Sequence, residues 1–574
     1  MQEKMNGQEQ NIMSVILQNI PSDAAVTKIE YEGPRIALYT KNPKYLLENN
    51  QIISNMVNMI KKRIVVRTDE SIRKNEEDAR NILLQLLPKE AEVKSTFFDT
   101  ALGEIIVEVK KPWILHPPDV DGNGFDMIEI VDKTGWKMRV RKASPIQSEM
   151  MQQVNYTLKM TVNERSKFYK YVGEQIFRPK LDETAEASLL TLGGFSEVGR
   201  SCMLLTTHES KILLDCGINP GARESLNAFP RLDWANVDLD ELDAIVISHA
   251  HLDHTGFLPV IFKYGYKGPI YCSEPTLPLM TLIQSDMIKV AMVEGTIPLY
   301  TERDIKEVIK HTITLPYGMV TDIAPDVKLV LANAGHILGS STVHLHIGNG
   351  DHNVVYTGDL KYGRSQMFES ASWNFPRVET LIIESTYGAK EDIMPTREEV
   401  EMNFVNTLNK TLSEGGKVLI PVPAVGRAQE ILMVIDTYMK AGKMIEAPVF
   451  IEGMISEATA MHIAHPEYLA KDLRQRIMET DDNPFMSEYF TIIEHADRRG
   501  EALRDEPAII MATSGMLEGG PVIEYFKALA SNPKNRVVFV SYQVNGTLGR
   551  RVLDGSRQVS VMGRDGKIEV ININ

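Results

Sequence analysis

The chain carries Ser248-His249-Ala250-His251-Leu252-Asp253-His254 directly after an apolar, strand-like run at 242–247. Side chains alternate between faces in an extended segment, so His249 and His251 point the same way. A turn after them would bring Asp253 and His254 round to a second ion. Imidazole and carboxylate ligands favour zinc, although ligand type leaves iron and manganese open. We therefore predict a site for two adjacent metal ions, because a solvated polar loop, the alternative, rarely has this spacing.

Three other motifs carry a resemblance to a known fold. Leu213–Gly217 resembles the early strand of the metallo-β-lactamase fold, which ends in a buried aspartate. Ala334–Ser340 resembles the segment that supplies a third histidine, and Tyr356–Asp359 resembles the strand end that supplies a metal-bridging aspartate. The resemblance implies the α/β class, with an αββα metallo-β-lactamase sandwich whose loops hold the metals.

A second domain is predicted after these motifs. An apolar strand at 380–384 ends in Glu384, and a long helix opens at Arg397. This looks like the first motif of the β-CASP subfamily, whose members cut nucleic acids. Three later loops each follow a strand and open a helix, where free backbone N–H groups suit a phosphate: Ile420–Glu430, Ala512–Pro521 and Tyr542–Arg550. Together they favour an inserted α/β β-CASP domain over structural turns only.

Two small α+β units precede the metal motifs and resemble KH domains, in which a Gly-x-x-Gly loop between two helices clamps a nucleic-acid backbone. In the second unit that loop reads Asp121-Gly122-Asn123-Gly124, so an acidic residue replaces the first glycine and would repel phosphate. The apolar pattern predicts helices at 12–20, 46–62, 72–87 and 127–134 and strands at 26–31, 35–39, 92–98, 104–110 and 137–140.

A short cationic stretch follows the altered loop. Lys137, Arg139 and Arg141 alternate along a predicted strand next to Trp136, which suits contact with an RNA backbone. The alternative is a solvated strand edge, since lysine also protects exposed edges. The two interpretations carry equal weight at this point.

The whole chain resembles the archaeal homologues of the cleavage and polyadenylation specificity factor nuclease. The metal ligands that this resemblance implies are His249, His251 and His336 for a first zinc ion, Asp253 and His254 for a second, and Asp359 bridging the two.

The same resemblance implies further roles at the catalytic site. Asp253 would orient or deprotonate the attacking water beside the bridging Asp359. Asp215 and Glu384 would not bind metal themselves but would hold the loops and the ligand rings in position. The phosphate contacts that it implies are Arg427, Ser514 and Gly515.

Six segments are expected along the chain. They are KH-like units at 1–68 and 69–145, a connecting helix at 163–177 within 146–186, a metallo-β-lactamase core at 187–394, a β-CASP domain at 395–560, and the start of a return to the core at 561–574.

The pattern departs from the family near the end of the chain. There the family supplies two more histidines, one near the leaving group and one on the second metal. Here the histidines end with His495 and the chain ends at Asn574. We therefore expect a C-terminally truncated chain whose second zinc site is one ligand short. The homodimer that the resemblance implies is in doubt without that segment.

The composition is that of a multidomain protein of the cytoplasm. The chain has 574 residues, of which 43% are hydrophobic and 24% charged. Three cysteines without a Cys-x-x-Cys pair argue for a reducing setting. No apolar run reaches the roughly 20 residues that cross a bilayer, so no membrane is expected. The net charge of −15 leaves RNA binding to local patches.

The resemblance implies a zinc-dependent ribonuclease that hydrolyses single-stranded RNA. It implies internal cleavage, leaves 5′–3′ exonuclease action open, and points to RNA 3′-end processing or transcription termination, with the transcription machinery as a partner. One alternative is an ester or thioester hydrolase of the same fold, which needs neither the inserted domain nor KH-like units. The other is a non-catalytic or impaired RNA-binding scaffold. It is favoured by the altered glycine loop and by the lack of the two C-terminal histidines that the family has.

Overall fold

The computed structural model describes residues 12–116, 124–180, 186–222, 224–293, 295–479, 482–562 and 568–574. Of the altered glycine loop, Asp121, Gly122 and Asn123 therefore lie outside the described residues. The described chain forms two N-terminal units, a helical connector, a two-sheet domain at 187–394 that we call the sandwich domain, and a further domain from 395 onward that we call the inserted domain.

The two N-terminal units share one topology. In each, an antiparallel strand pair is followed by helical residues and a third strand that pairs in parallel with the middle strand. The first unit contains α1 (12–19), β1 (Val26–Glu32), β2 (Arg35–Thr40), α2 (Pro43–Glu48), α3 (Asn50–Ile60) and β3 (Ile64–Thr68). The second contains α4 (Glu76–Leu86), β4 (Val93–Asp99), β5 (Glu104–Val109), α5 (Met127–Thr134) and β6 (Lys137–Lys142).

The helix predicted at 46–62 is two helices. Asn49 leaves the helical region with φ −98° and ψ 52°, so α2 ends there and α3 starts anew. The remaining predicted elements of both units are present within a few residues of their expected bounds.

The connector contains two helices where the sequence predicted one. In addition to α7 (Val162–Ile176), it has α6 (Glu149–Met160), whose first turn is capped by the Ser148 hydroxyl accepting from the Met151 N–H at 3.0 Å. A break at Thr161 separates the helices. The guanidinium of Arg165 in α7 donates to both carboxylate oxygens of Asp99 at 2.9 Å, and both residues are buried. The connector thereby ties the second unit to the rest of the chain.

The sandwich domain consists of two facing sheets, as the sequence predicted. The first is ordered β12-β11-β10-β9-β8-β7 and the second β13-β14-β15-β16-β17. Their facing side chains, among them Leu214, Val246 and Leu345, form one core cluster. The strands are β7 (Ala187–Gly193), β8 (Cys202–Thr207), β9 (Lys211–Leu214), β10 (Ala244–Val246), β11 (Ile270–Cys272), β12 (Thr312–Thr314), β13 (Thr321–Ala324), β14 (Val327–Asn333), β15 (Ser341–Ile347), β16 (His352–Tyr356) and β17 (Thr380–Ile382).

Helices cover the outer face of the first sheet. The opposite side chains of that sheet, such as Leu213 and Ile245, pack in a second cluster with helical residues such as Leu279 and Val308. The helices of this domain are α8 (Ser225–Ala228), α9 (Leu252–Thr255), α10 (Leu258–Lys263), α11 (Thr276–Val293) and α12 (Glu302–His311). By length and composition α11 could be considered for a membrane span, but 56% of it is buried, as in a core helix.

The inserted domain is built on a parallel sheet ordered β20-β19-β21-β18-β22. Its strands are β18 (Val418–Pro421), β19 (Val449–Glu452), β20 (Phe490–Ile493), β21 (Ile509–Ala512) and β22 (Arg536–Val537). Its helices are α13 (Arg397–Ser413), α14 (Arg427–Lys440), α15 (Ile455–Ala464), α16 (Lys471–Glu479), α17 (Arg499–Ala502), α18 (Pro521–Leu529) and α19 (Leu548–Leu553).

The segment at 561–574, where a return to the sandwich domain is predicted, contributes to a strand hairpin in its described residues. Strand β24 (Ile568–Asn572) pairs antiparallel with β23 (Gln558–Met562). Ile571 is buried against Phe526 and Leu529 of the inserted domain. This apolar contact places the hairpin on the inserted domain.

Replacing Gly173 with alanine should loosen the first unit from α7. A methyl group there would lie 2.3 Å from the Tyr31 Cβ and 3.0 Å from the Gly33 carbonyl oxygen. Overpacking of this kind costs about 1–3 kcal/mol, so calorimetry should show a lower melting temperature. Gly500→Ala is the control, because a methyl group there meets no described atom within 4 Å. Identical melting curves for the two variants would contradict this packing.

Candidate metal centre

Asp215 anchors the loop that carries the predicted ligands. It follows β9 in a left-handed conformation, with φ 57°, and is fully buried. Its carboxylate accepts hydrogen bonds from the Ser248 N–H, the Ser248 hydroxyl and the Tyr356 hydroxyl, each at 2.7 Å. Three segments of the sandwich domain therefore meet at one carboxylate.

The same carboxylate orients one of the predicted ligands. The Nδ1 atom of His254 lies 2.7 Å from Asp215 Oδ2, and a carboxylate can only accept, so Nδ1 donates. The free Nε2 atom of His254 then faces Asp359 at 3.3 Å and Asp253 at 3.7 Å. A hydrogen bond that fixes the ring tautomer in this way is typical of histidines that bind metals.

The predicted ligands converge as two groups. In the first, His249 Nε2 and His336 Nε2 lie 3.1 Å and 3.3 Å from His251 Nδ1. Asp359 Oδ2 lies 3.6 Å from His336 Nε2 and 3.9 Å from His249 Nε2. The first group is His249, His251, His336 and Asp359, and the second is Asp253, His254 and Asp359. Within each group, one ligand atom per residue lies within 4.8 Å of the others. Asp359 belongs to both groups.

The electrostatics of the first group suit a cation. Burial, and then the nearby His254, lowers the pKa of His249 well below its usual range. Burial and the neighbouring His251 lower the pKa of His336 to about 3. These imidazoles are neutral at pH 7, which leaves their lone pairs free to bind a metal.

The second group differs because it contains two carboxylates. Although burial opposes the charge, Asp359, Asp253 and Asp215 raise the pKa of His254 well above its usual range. Burial likewise opposes ionisation of Asp359, yet His254 and His249 hold the pKa of Asp359 far below that of a free carboxyl. The group therefore attracts positive charge.

Residues behind the ligands hold them in place. Glu384 Oε1 accepts from the Leu360 N–H at 3.4 Å, next to Asp359, and its Oε2 accepts from the Thr386 N–H at 3.0 Å. Burial lowers the pKa of His251, and the backbone of Val425 in the inserted domain lies near enough to oppose this shift. The first group of ligands is thus next to the inserted domain.

The loops predicted to bind phosphate lie together at the carboxyl edge of the inserted sheet. Strands β18 and β21 are parallel neighbours, so the loops that follow them meet there. Gln543 Nε2 donates to the Gly515 carbonyl at 3.0 Å, and the Gly549 N–H donates to the Met516 carbonyl at 2.9 Å. The Ser514 hydroxyl is bound to the Glu518 backbone at 2.9 Å and so shapes its own loop.

Arg427 opens α14 on the side of the metal centre. Its side chain is 47% exposed, and its guanidinium pairs with Glu430 at 2.6 Å. Its charge contributes to the lowered pKa of His336, after burial and the other site residues. The side chain is therefore near the ligands and open to solvent.

Two of the three cations on β6 that were predicted to contact RNA form ion pairs with a glutamate of the same chain. Arg141 Nη2 lies 2.9 Å from Glu274 Oε1, and Arg139 pairs with the other oxygen of the same carboxylate. Glu274 belongs to the sandwich domain, so these arginines join the second unit to it. Lys137 and Arg139 remain partly exposed on β6.

Sequence reasoning missed Ser248, Tyr356, Val425 and Glu274. All but Glu274 stand inside the quoted motifs, where the hydroxyl groups of Ser248 and Tyr356 were the available signal. Val425 acts through its backbone, and Glu274 pairs with residues more than a hundred positions away in the chain. Their own sequence neighbourhoods carry no sign of these contacts.

Three protein families match successive parts of the chain. The KH domain of transcription termination factor FttA matches residues 6–73, the metallo-β-lactamase superfamily matches 196–396, and the Beta-Casp domain matches 428–552. The predicted combination of an N-terminal KH domain, a metallo-β-lactamase fold and an inserted β-CASP domain is thereby confirmed.

Several curated proteins resemble the chain over its length. Transcription termination factor FttA of Cenarchaeum symbiosum is 65% identical over all of this chain and 88% of its own length. The proteins of that name from Methanothermobacter thermautotrophicus and Thermococcus kodakarensis are 46% and 47% identical over 98% of this chain and 88% and 87% of their own. This chain belongs to the transcription termination factor FttA family.

Proposed function

We propose that this chain is a zinc-dependent ribonuclease that hydrolyses phosphodiester bonds in single-stranded RNA. The observation that carries the proposal is that Asp359 belongs to both groups of candidate ligands. Because the two groups share this carboxylate, ions held by them would be neighbours and could act together on one phosphodiester. The reaction is internal cleavage, with 5′–3′ exonuclease action as a second mode.

The donor set fits two zinc ions of unequal affinity. Three imidazoles and a carboxylate in the first group are enough for tetrahedral zinc. Asp253, His254 and a share of Asp359 make a smaller second set, so the second ion should bind more weakly. When bound, such a pair lowers the pKa of a water molecule and neutralises charge on the attacking and leaving oxygens.

Side chains of the protein accept the proton and hold the metal ligands in position. Asp253, whose side chain is 29% exposed beside His254, is placed to accept the proton of the attacking water. Asp215 holds the His254 ring, and Glu384 supports the backbone next to Asp359. These contacts keep the ligands in position through the reaction.

The inserted domain would position the RNA backbone. Arg427 offers an exposed guanidinium, and the loop at Ser514 and Gly515 offers backbone N–H groups at the sheet edge. Lys137, Arg139 and Arg141 form a second, weaker surface, because Glu274 already neutralises part of their charge. Since the relatives are named transcription termination factors, we propose that cleavage serves termination, with the transcription machinery as a partner.

His251→Ala should remove bound zinc and reduce RNA cleavage by roughly a hundredfold or more, because it deletes a ligand of the first group. The N-terminal units should stay folded, since the change is local to the sandwich domain. Elemental analysis and cleavage of a labelled single-stranded RNA measure both effects. His208→Ala is the control, because its side chain is 43% exposed to solvent. A His251→Ala chain that kept its zinc and cut RNA normally would refute the assignment of this loop.

Arg427→Gln should weaken RNA binding and reduce its salt dependence. Each lost phosphate contact lowers the slope of log K against log salt by about 0.7 on a single strand. Fluorescence anisotropy over a salt series measures the slope. Arg498→Gln is matched, because Arg498 lies in the same domain, is 41% exposed and also pairs with a glutamate three residues on. If both variants bind RNA with the slope of the unaltered chain, Arg427 makes no phosphate contact.

A further inference from the structure

A chain of ion pairs, buried at Arg67 and Glu104 and partly exposed at Arg139, runs from the first unit through the second. Arg67 of β3 is 4% exposed and lies 2.6 Å from Glu32 in its own unit and 3.0 Å from Glu104 in the second unit. Glu104 lies 3.8 Å from Arg139 on β6. Arg139 then pairs with Glu274. Opposite charges alternate along the whole series, which ends in the sandwich domain.

Glu274 stands where three domains meet. Arg139 and Arg141 of the second unit bind its carboxylate. From the inserted domain, His465 and Pro466 line the same small cavity as Glu274. Although burial opposes ionisation, Arg139 and Arg141 hold the pKa of Glu274 far below its usual range. The carboxylate is thus charged and fixed by both neighbours.

The segment at 273–276 packs against the loop of a candidate metal ligand. The Ser273 hydroxyl donates to the Gly339 carbonyl at 2.7 Å, and the Thr276 hydroxyl lies 3.3 Å from the same oxygen. A methyl group at Gly339 would lie 2.4 Å from the Ser273 hydroxyl and 2.7 Å from Pro275, so the two segments are in close contact.

Gly339 belongs to the turn that sets the position of His336. The Ser340 hydroxyl accepts from the His336 N–H at 3.0 Å and from the Ile337 N–H at 3.2 Å. The Ser340 N–H in turn donates to the Ile337 carbonyl at 3.0 Å. A shift of the 273–276 segment would therefore move the backbone that carries the His336 imidazole.

We propose that Glu274 is a positioning residue for the metal centre, through which the second KH-like unit fixes the loop of His336. The inference rests on the proposed function, in which His336 binds the first zinc ion. Because packed segments transmit displacement, loss of the ion pairs at Glu274 relaxes the Gly339 turn and weakens zinc binding. RNA affinity should not fall, since loss of the Glu274 charge leaves Arg139 and Arg141 free to contact the RNA backbone.

The test compares Glu274→Gln with Glu129→Gln in the full chain. Glu129 pairs with Lys133 on an exposed helix surface of the second unit, so its loss should change nothing measured. Zinc affinity is measured by competition with a chelator, and kcat and KM are measured on a short RNA at saturating zinc. Glu274→Gln should lower zinc affinity roughly tenfold, as loss of a group that supports a ligand typically does. It should lower kcat without raising KM.

A second comparison tests the proposed route. Arg139→Gln/Arg141→Gln should weaken zinc binding as Glu274→Gln does, and all three changes together should cost no more than either alone. Ser273→Ala removes the contact with Gly339 without touching the ion pairs, and it should weaken zinc binding too. If Glu274→Gln does not fold, the zinc affinity of Ser273→Ala tests the proposed route instead.

The inference is overturned if Glu274→Gln and Ser273→Ala bind zinc as Glu129→Gln does, or if the effects of Glu274 and of the arginines simply add. A purified chain that binds zinc but never cuts RNA would refute the proposed function alone. In that case the zinc affinities still decide the role of Glu274.

Discussion

The candidate site depends on the buried carboxylate of Asp215. It accepts from the backbone and hydroxyl of Ser248, from Tyr356 and from His254, and so joins the end of β9 to the ligand loop and to β16. A buried charge needs this many partners to be tolerated. Those partners are also what brings the loop of His249, His251 and His254 to the strand end that carries Asp359.

Residues of three domains contact the loops that form this site. The inserted domain reaches His251 through the Val425 backbone, and its loops meet at the same edge of the parallel sheet. The second N-terminal unit pairs with Glu274, whose neighbour Ser273 contacts the loop of His336. The surfaces that we propose for RNA and the residues that we propose as metal ligands are thereby parts of one packed structure.

The sequence predicted the parts of this site that are chemically distinctive and local. Histidine and aspartate at metal-ligand spacing, at the ends of apolar strands, are informative because few other roles need them, and His249, His336 and Asp359 do converge. Alternating patterns likewise gave the repeated topology of the N-terminal units. Contacts over long separations were out of reach: Arg139 and Glu274 are 135 residues apart, and a cationic strand has the same pattern whether it meets RNA or a buried glutamate. Helix α6 and the hairpin at β24 were missed because tertiary packing decides them.

The account is tested most directly by anomalous diffraction at the zinc edge from crystals of the chain soaked in zinc. We expect two peaks roughly 3.5–4 Å apart, on either side of Asp359. The stronger should lie among His249, His251 and His336, and the weaker beside Asp253 and His254. Zinc bound only elsewhere, or a single ion that never gains a neighbour at saturating zinc, would contradict the two-ion site.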